Sequence, residues 1–344
     1  MKRLIIINLG IFSILTILLE ISLRYIYSDR GYFRRVFPDD DEYTTETIVE
    51  DQNWIKNDPE LGWVCQNKEK LRFNIPAYFD TRYVINDQGF RSTFNFNSQD
   101  TSNCKKIMLV GDSFLFGMYL EEDQTIVHKL GKKLGPKFKL YNISVPGWGI
   151  DQMYLAYLKY LDIINPDLVV VCYIDDDMIR TLHAKRSIGS KPRLKIDGDS
   201  LSLDTSISNP IERFFWTNQI SNQLYTRYMQ WYSVKLTKAI FQQLIENEKD
   251  NERTPLFVHM PLEEHILTGD NQILFDLEDF ITALSADYYD FRNAFLEVPA
   301  DVVSRSYRKN DGHLTAFGSE LLANNIFTMI NNSVEINTNQ RISK

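Results

Sequence analysis

From Lys106 onward, short apolar runs alternate with stretches of helical periodicity, and this alternation constrains the fold more than any other feature of the sequence. The runs are of strand length and are IMLV (107–110), KLYNISV (139–145), DLVVVCYI (167–174), PLFVHM (255–260) and YYDF (288–291). Strands that read as near-continuous apolar runs are buried on both faces, as in parallel sheets covered by helices. The pattern therefore predicts an α/β domain built on a parallel sheet.

One region interrupts this alternation, between the runs at 167–174 and 255–260. It contains PRLKIDGDSLSL (192–203), in which Asp197-Gly198 predicts a hairpin turn. It also contains a long helix candidate at about 218–248 with aromatic residues at helical spacing, among them Trp216 and Trp231. We interpret this region, about 178–250, as an insertion whose aromatic residues form core or a packed lid.

Composition excludes several classes of protein. Hydrophobic residues make up 44% and aromatic residues 13% of the chain, which is enough for a sizeable core and excludes general disorder. Asp and Glu outnumber Lys and Arg by 46 to 38, and a net charge of −8 argues against a nucleic-acid partner. Three cysteines without ligand spacing predict neither a disulfide framework nor a structural zinc site.

The N-terminus carries an uncharged apolar run from Leu4 to Leu19. A helix continued to Tyr27 would span about 36 Å, more than the hydrocarbon core of about 30 Å. A cleaved signal peptide is the competing interpretation, but no small-residue cleavage site follows the run, so an uncleaved transmembrane anchor is favoured. Because such a segment is usually an export signal and long domains translocate regardless of flanking charge, we expect an extracytoplasmic catalytic domain.

These features divide the chain into four parts. The segment that follows the anchor is first polar and acidic and then strand-like, and the last residues are polar. The predicted parts are a membrane anchor (1–28), a polar tether with a small strand-rich lead-in (29–104), the α/β domain with its insertion (105–333), and a polar tail (334–344).

The first candidate site residue is Ser113, in Gly111-Asp112-Ser113-Phe114 directly after the first apolar run. Ligands of parallel sheets gather at the carboxyl ends of the strands, so a serine there is placed to act as a nucleophile. The following turn can offer backbone N–H groups to an oxyanion. The same tripeptide recurs at 198–200 inside the predicted hairpin, where we interpret it as turn chemistry.

Two further segments complete a candidate constellation. NISVPG (142–147) ends another strand, and its Gly147 allows the backbone to approach a ligand closely. Asp311 and His313 precede the last helix and are two residues apart, so one turn can present a base together with the carboxylate that orients it. Among the other histidines only His259, at the end of a strand, is a serious rival as the base.

Together these elements resemble the SGNH, or GDSL-like, hydrolase family. GDSF (111–114) is similar to the family's nucleophile block, NISVPG (142–147) to the oxyanion-hole block, and NDGHLTAFG (310–318) to the block that carries Asp and His. Three further segments, DPELGW, INDQGFRS and KPRLKIDGDSLSL, look like parts of a bacterial membrane-anchored subgroup. The resemblance implies a flavodoxin-like three-layer sandwich with about five parallel strands in the order 2-1-3-4-5.

The resemblance also implies site residues and an activity. Ser113, His313 and Asp311 would be the catalytic residues of ester hydrolysis or acyl transfer, without a cofactor or metal. Backbone N–H groups of Ser113 and Gly147 would form the oxyanion hole. The family's third block supplies an Asn as a further donor, and here Asp175 stands in its place.

Asp175 leaves three outcomes open. It would serve as a donor if it were protonated, which the neighbouring Asp176 and Asp177 favour because like charges resist joint ionisation. In that case Asp175→Asn keeps or raises esterase activity at pH 8. Alternatively its side chain turns away, or the site has lost its activity.

The sequence therefore predicts a serine esterase or acyltransferase acting on acyl, and in particular O-acetyl, esters. The expected partners are an acylated small molecule or a surface or secreted glycan, and the membrane through the N-terminal helix. Two alternatives stay open. One is a catalytically degenerate SGNH-like domain that binds glycan or an assembly partner, and the other is a metal-dependent phosphohydrolase that uses Asp175–Asp177 with Asp112.

Overall fold

The structure, a computed structural model, describes most of the chain. The described residues are 2–27, 48–49, 54–75, 79–97, 104–184, 186, 188–198, 200–204, 219–267, 277–295, 298–309 and 311–342. Most of the predicted tether lies outside them, as do Trp216, Asp199 and Asn310.

The described strands form one large sheet and three small ones. In chain order they are β1 (Ile48–Val49), β2 (Ile55–Asp58), β3 (Gly62–Cys65), β4 (Lys68–Ile75), β5 (Phe79–Ile85), β6 (Lys105–Gly111), β7 (Phe138–Ser144), β8 (Leu168–Tyr173), β9 (Arg193–Asp197), β10 (Ser200–Asp204), β11 (Leu256–His259) and β12 (Asp287–Asp290). The large sheet is parallel and has the order β7-β6-β8-β11-β12. Counted along the chain this order is 2-1-3-4-5, so the predicted sheet is confirmed.

Helices connect the parallel strands, because a parallel connection must cross from one end of the sheet to the other. In chain order the described α-helices are α1 (Lys2–Tyr27), α2 (Ser113–Phe116), α3 (Ile126–Leu134), α4 (Ile150–Ile164), α5 (Asp175–Arg180), α6 (Gln219–Asp250), α7 (Glu263–Leu267), α8 (Glu278–Ala283), α9 (Ala300–Ser306) and α10 (Ala316–Ile342). Short 3₁₀ helices occupy Glu122–Gln124 and Phe291–Phe295.

The central strand β6 shows why its run 107–110 is apolar throughout. Met108 and Val110 belong to the core on one face of the sheet, with residues of α4 and α6. Ile107 and Leu109 belong to the core on the other face, with residues of α3 and α10. Successive strand residues point to opposite faces, so this run between two helical layers is buried on both of them, which stabilises the fold by about 1.5–3 kcal/mol for each large side chain. The domain is therefore a three-layer sandwich, as predicted.

The segments before and within the domain also form the expected elements. The strand-rich lead-in consists of two antiparallel sheets, β1-β4-β5 and β2-β3. Trp63 and Phe90 of this segment are buried in the same core as α4. In the inserted region β9 and β10 pair as a hairpin in which Asp197 lies opposite Ser200, and the predicted long helix is α6.

The N-terminal segment differs from its prediction. Residues 2–27 are helical, and the side chains described at 7–19 are exposed. Within the described residues, no helix meets the length and apolarity that crossing a membrane requires. The predicted transmembrane helix is therefore not supported.

Candidate active site

Ser113 lies where the central strand ends. β6 finishes at Gly111, and Asp112 caps α2 because its Oδ1 accepts a hydrogen bond of 2.9 Å from the Phe114 N–H. Gly111 is required by a close approach: a Cβ there would lie 2.8 Å from Leu115 Cβ and 3.0 Å from the Cys172 carbonyl oxygen. The tight turn leaves Ser113 as the first residue of α2, 7% exposed at the carboxyl edge of the sheet.

The turn before α10 brings a histidine and a carboxylate to this serine. His313 Nε2 lies 2.9 Å from Ser113 Oγ, across 200 residues of sequence. His313 Nδ1 lies 3.2 Å from Asp311 Oδ1, and the same oxygen accepts a 2.9 Å hydrogen bond from the His313 backbone N–H. The structure thus brings together the three residues that the sequence singled out as a nucleophile, a base and its orienting carboxylate.

The surroundings of His313 hold the imidazole in place. The Phe114 and Tyr119 rings lie 5.0 and 5.4 Å from it, centroid to centroid. Asp311 also accepts a hydrogen bond of 3.3 Å from Arg308 Nε. Burial opposes ionisation of Asp311, but the contacts with His313 and Arg308 outweigh it and lower the pKa of this carboxyl. Asp311 is therefore an ionised acceptor for the His313 N–H.

Gly147 lies in a loop whose backbone is held on several sides. Its φ of +80° falls in the left-handed region, and a Cβ would lie 2.4 Å from Ile188 Cδ1. The Gly147 carbonyl accepts a 2.7 Å hydrogen bond from Arg186 Nη1, and Trp63 Nε1 donates to the Pro146 carbonyl at 3.1 Å. Within the described residues, the N–H groups of Ser113 and Gly147 donate no hydrogen bond, so both are available to a ligand.

Asp175 lies in a different group of charges. Its Oδ1 is 3.1 Å from His259 Nε2, and its Oδ2 is 3.2 Å from His265 Nδ1. On the other side of the ring, His259 Nδ1 lies 3.5 Å from Asp290 Oδ1. Asp175, His259 and Asp290 stand at or just after the ends of β8, β11 and β12, and we call these three residues the buried Asp–His–Asp cluster.

The electrostatics of this cluster bear on the donor hypothesis for Asp175. Burial opposes ionisation of Asp175, but His259 and His265 outweigh it and hold the pKa of the carboxyl well below its usual range. Burial also opposes a charged His259, yet Asp175 and Asp290 raise the pKa of the imidazole to about 9. An ionised Asp175 accepts hydrogen bonds and cannot donate them. This arrangement favours the outcome in which Asp175 turns away from the oxyanion.

The acidic run 175–177 does not converge on one point. Asp175 faces His259, Asp176 is exposed, and Asp177 is buried against Arg180. Among the residues that the structure describes, no group of three or more His, Cys, Asp or Glu side chains is arranged to hold a metal ion.

Sequence reasoning missed two charged residues of the site. Arg180 contacts Asp112 beside the nucleophile, and Arg186 contacts the Gly147 carbonyl. Both follow β8, which is the third strand of the large sheet in chain order. A lone arginine in a helix or loop has no local sequence pattern that would have marked it as a site residue.

Comparisons with known proteins give structural matches only. No family profile and no curated protein matches the sequence. Solved structures similar to this chain include a GDSL-like lipase from Bacteroides thetaiotaomicron (12% identity, 67% of this chain and 89% of that one, TM-score 0.39). Others are the lipase/acylhydrolase from Enterococcus faecalis (14% identity, 66% and 95%, TM-score 0.40) and an acetyl xylan esterase (15% identity, 65% and 99%, TM-score 0.41).

The chain's own sheet order and the positions of its motifs along that sheet define its architecture. GDSF follows β6, NISVPG ends β7, and the Asp311–His313 turn precedes α10. The chain has a three-layer α/β fold with the sheet order that the SGNH resemblance implies. In this domain the three motifs meet at one edge of the sheet, because the carboxyl ends of parallel strands lie side by side.

Proposed function

We propose that this protein is a serine esterase or acyltransferase that acts on acyl esters through Ser113, His313 and Asp311. The observation that carries the proposal is the contact of 2.9 Å between Ser113 Oγ and His313 Nε2, with Asp311 on the opposite ring nitrogen at 3.2 Å. A hydroxyl, an imidazole and a carboxylate in this order are the arrangement that activates a serine for attack on a carbonyl carbon.

The reaction proceeds in two halves. Ser113 Oγ attacks the ester carbonyl while His313 Nε2 takes the hydroxyl proton, and the resulting oxyanion is held by the N–H groups of Ser113 and Gly147. His313 returns the proton to the leaving alcohol, and an acyl-enzyme remains on Ser113. Water or a second alcohol then attacks this ester, with His313 again as the base, and releases an acid or a new ester. Asp311 holds the imidazole in the tautomer that presents its Nε2 lone pair to Ser113.

The test is hydrolysis of p-nitrophenyl acetate by the full-length protein, together with labelling by a fluorophosphonate. Wild-type protein is expected to release p-nitrophenol and to be labelled at Ser113. Ser113→Ala is expected to abolish both. Wild-type protein that is folded but neither labelled nor active would overturn the proposal, and the catalytically degenerate alternative would then be preferred.

The substrate class and the location are further parts of the proposal. O-acetyl groups of surface or secreted glycans are the proposed substrates, and the catalytic domain is proposed to work outside the cytoplasm. Both rest on the apolar segment Leu4–Leu19, read as an export signal, and on the family resemblance. A panel of acetylated oligosaccharides tests the first. Cell fractionation with a reporter fused after Lys344 tests the second, and a reporter found in the cytoplasm would overturn it.

A further inference from the structure

We propose that Arg180 is a positioning residue for the proposed oxyanion hole, and that its single guanidinium group binds both Asp112 beside the nucleophile and the loop that carries the oxyanion glycine. The inference rests on the proposed function, and it names a residue to which neither the sequence motifs nor the triad geometry gives a role.

Arg180 joins three parts of the site. Its Nη1 lies 3.0 Å from Asp112 Oδ2, contacts Asp177 Oδ1, and lies 3.4 Å from the Trp148 carbonyl oxygen. The Arg180 side chain is 14% exposed, whereas those of Asp112 and Asp177 are fully buried. A planar guanidinium can serve several acceptors in fixed directions, which an ammonium group does less well.

Through Asp112, Arg180 acts on the nucleophile. The Asp112 Oδ1 atom caps α2 through the Phe114 N–H, so a fixed Asp112 also fixes the orientation of the Ser113 N–H one residue earlier. The Asp112 Oδ2 atom lies 3.3 Å from Ser113 Oγ and competes with His313 for the hydroxyl proton. Arg180 donates a hydrogen bond to that same oxygen, which makes Asp112 a weaker acceptor for the Ser113 hydroxyl. The hydroxyl therefore bonds to His313.

Through Trp148, Arg180 acts on the oxyanion glycine. Trp148 directly follows Gly147, and the backbone of Arg180 is packed against the same loop. A Cβ on Gly149 would lie 2.9 Å from the Arg180 carbonyl carbon and 2.9 Å from the Thr181 nitrogen. With Arg186 on the Gly147 carbonyl, the peptide groups on this side of the loop are held by two arginines. These contacts restrain the two peptide groups that follow Gly147, and Trp63 Nε1 holds the Pro146 carbonyl of the peptide that carries the Gly147 N–H.

The position of Arg180 in the fold gives a reason for the substitution at Asp175. Asp175 begins α5 and is bound to His259, and Arg180 ends the same short helix and is bound to Asp112. One end of α5 is therefore held by the buried Asp–His–Asp cluster, and the other binds the two segments that carry the backbone donors. An SGNH-like site without the expected Asn retains a well-ordered pair of donors in this way.

The test compares Arg180 with a matched control on p-nitrophenyl acetate. Arg193, on the hairpin, is also a partly buried arginine and is 13% exposed. It contacts Asp204 of the same hairpin at 3.1 Å and the Leu182 carbonyl at 2.9 Å. We expect Arg180→Ala to lower kcat by about 10²-fold, comparable with the loss of an oxyanion donor, and to change KM by less than about threefold. Arg193→Ala is expected to keep kcat within about threefold.

Chemical rescue separates positioning from a general loss of structure. Added guanidinium at millimolar concentration is expected to raise kcat of Arg180→Ala at least about tenfold and to leave wild type and Arg193→Ala unchanged. If Arg180→Ala does not fold, Arg180→Lys carries the test. An ammonium cannot bridge Asp112 and the Trp148 carbonyl in the same geometry, so kcat is expected to fall about 10–100-fold in folded protein.

The outcomes distinguish the two proposals. Active wild-type protein with an unimpaired, folded Arg180→Ala or Arg180→Lys variant would overturn this inference and leave the proposed function intact. A loss of kcat that guanidinium does not restore, with equal losses in Arg193→Ala, would also overturn it. Inactive wild-type protein would overturn the proposed function and this inference with it.

Discussion

Two histidines with carboxylate partners lie at the carboxyl edge of the same sheet, and they differ in what the second ring nitrogen faces. His313 has Asp311 on Nδ1 and the Ser113 hydroxyl on Nε2. His259 has Asp175 on Nε2 and Asp290 on Nδ1. The imidazole between a carboxylate and a hydroxyl can accept the hydroxyl proton. The imidazole between two carboxylates is hydrogen-bonded to Asp175 through Nε2, lies 3.5 Å from Asp290 Oδ1 through Nδ1, and stays charged.

Burial strengthens this difference. The His259 side chain is 2% exposed and that of His313 is 13% exposed. In a poorly solvated place the two carboxylates raise the pKa of His259 to about 9, so it holds its proton at neutral pH and cannot act as a base. His259 was the rival base in the sequence, and its surroundings favour a structural role. An Asp–His contact alone therefore does not define a catalytic base.

The largest expected effect is on catalysis at His313. His313→Ala is expected to lower kcat for p-nitrophenyl acetate by about 10³-fold or more, because it removes the imidazole that lies against Ser113 Oγ. The measurement is steady-state kinetics, with melting temperature as a check of folding.

His128 supplies the control, since it lies exposed on α3. His128→Ala is expected to keep kcat within about threefold. A His313→Ala variant that retains wild-type kcat would show that His313 is not the catalytic base, and the functional distinction between His313 and His259 would be lost.

The second effect is on stability at His259. His259→Ala removes the cation shared by two buried carboxylates and leaves Asp175 with His265 and Asp290 with Arg292, so it is expected to cost about 3 kcal/mol of unfolding free energy. Urea denaturation of the full-length protein measures the loss. If His259→Ala instead abolished kcat in protein of wild-type stability, His259 would be the base after all.

The third effect is the pH dependence of stability. The folded-state pKa of His259 is raised to about 9, so its contribution is fully present below the unfolded value of about 6.5 and is lost as the pH rises through 9. Between pH 6.5 and 9.5 the wild type is expected to lose on the order of 2–3 kcal/mol that a His259→Gln variant does not lose. Parallel denaturation curves at the two pH values test this, and equal pH dependence in both proteins contradicts it.

The smallest expected effect is that of Asp175→Asn on stability and kcat. From the sequence, a protonated Asp175 predicts that Asp175→Asn keeps or raises activity at pH 8. The structure instead predicts a loss of about 1–2 kcal/mol of stability, because His259 keeps only Asp290 as a charged partner. We expect kcat to stay at or below the wild-type value. Higher kcat with unchanged stability would restore the donor hypothesis.

Much of the fold was predictable from local pattern. The runs that became β6, β8 and β11 are mainly apolar because both of their faces are buried, and the sequence shows this property without the neighbouring strands and helices. The motif at Ser113 was recognisable because it follows such a run. Asp311 and His313 were recognisable because one turn presents both, so the geometry of their contact is local.

The partners of Asp175 and Arg180 were not predictable in the same way. His259 lies 84 residues from Asp175, and Arg180 lies 68 residues from Asp112. Residues at the ends of neighbouring parallel strands meet because of strand order, and each of these side chains looks locally like an ordinary charge. The sequence by itself therefore determined the alternating strands, their motifs and the candidate triad, since periodicity and turn geometry are local properties. Only the tertiary structure decided which histidine faces a hydroxyl and which faces a second carboxylate, because that depends on which strand ends the folded sheet brings side by side.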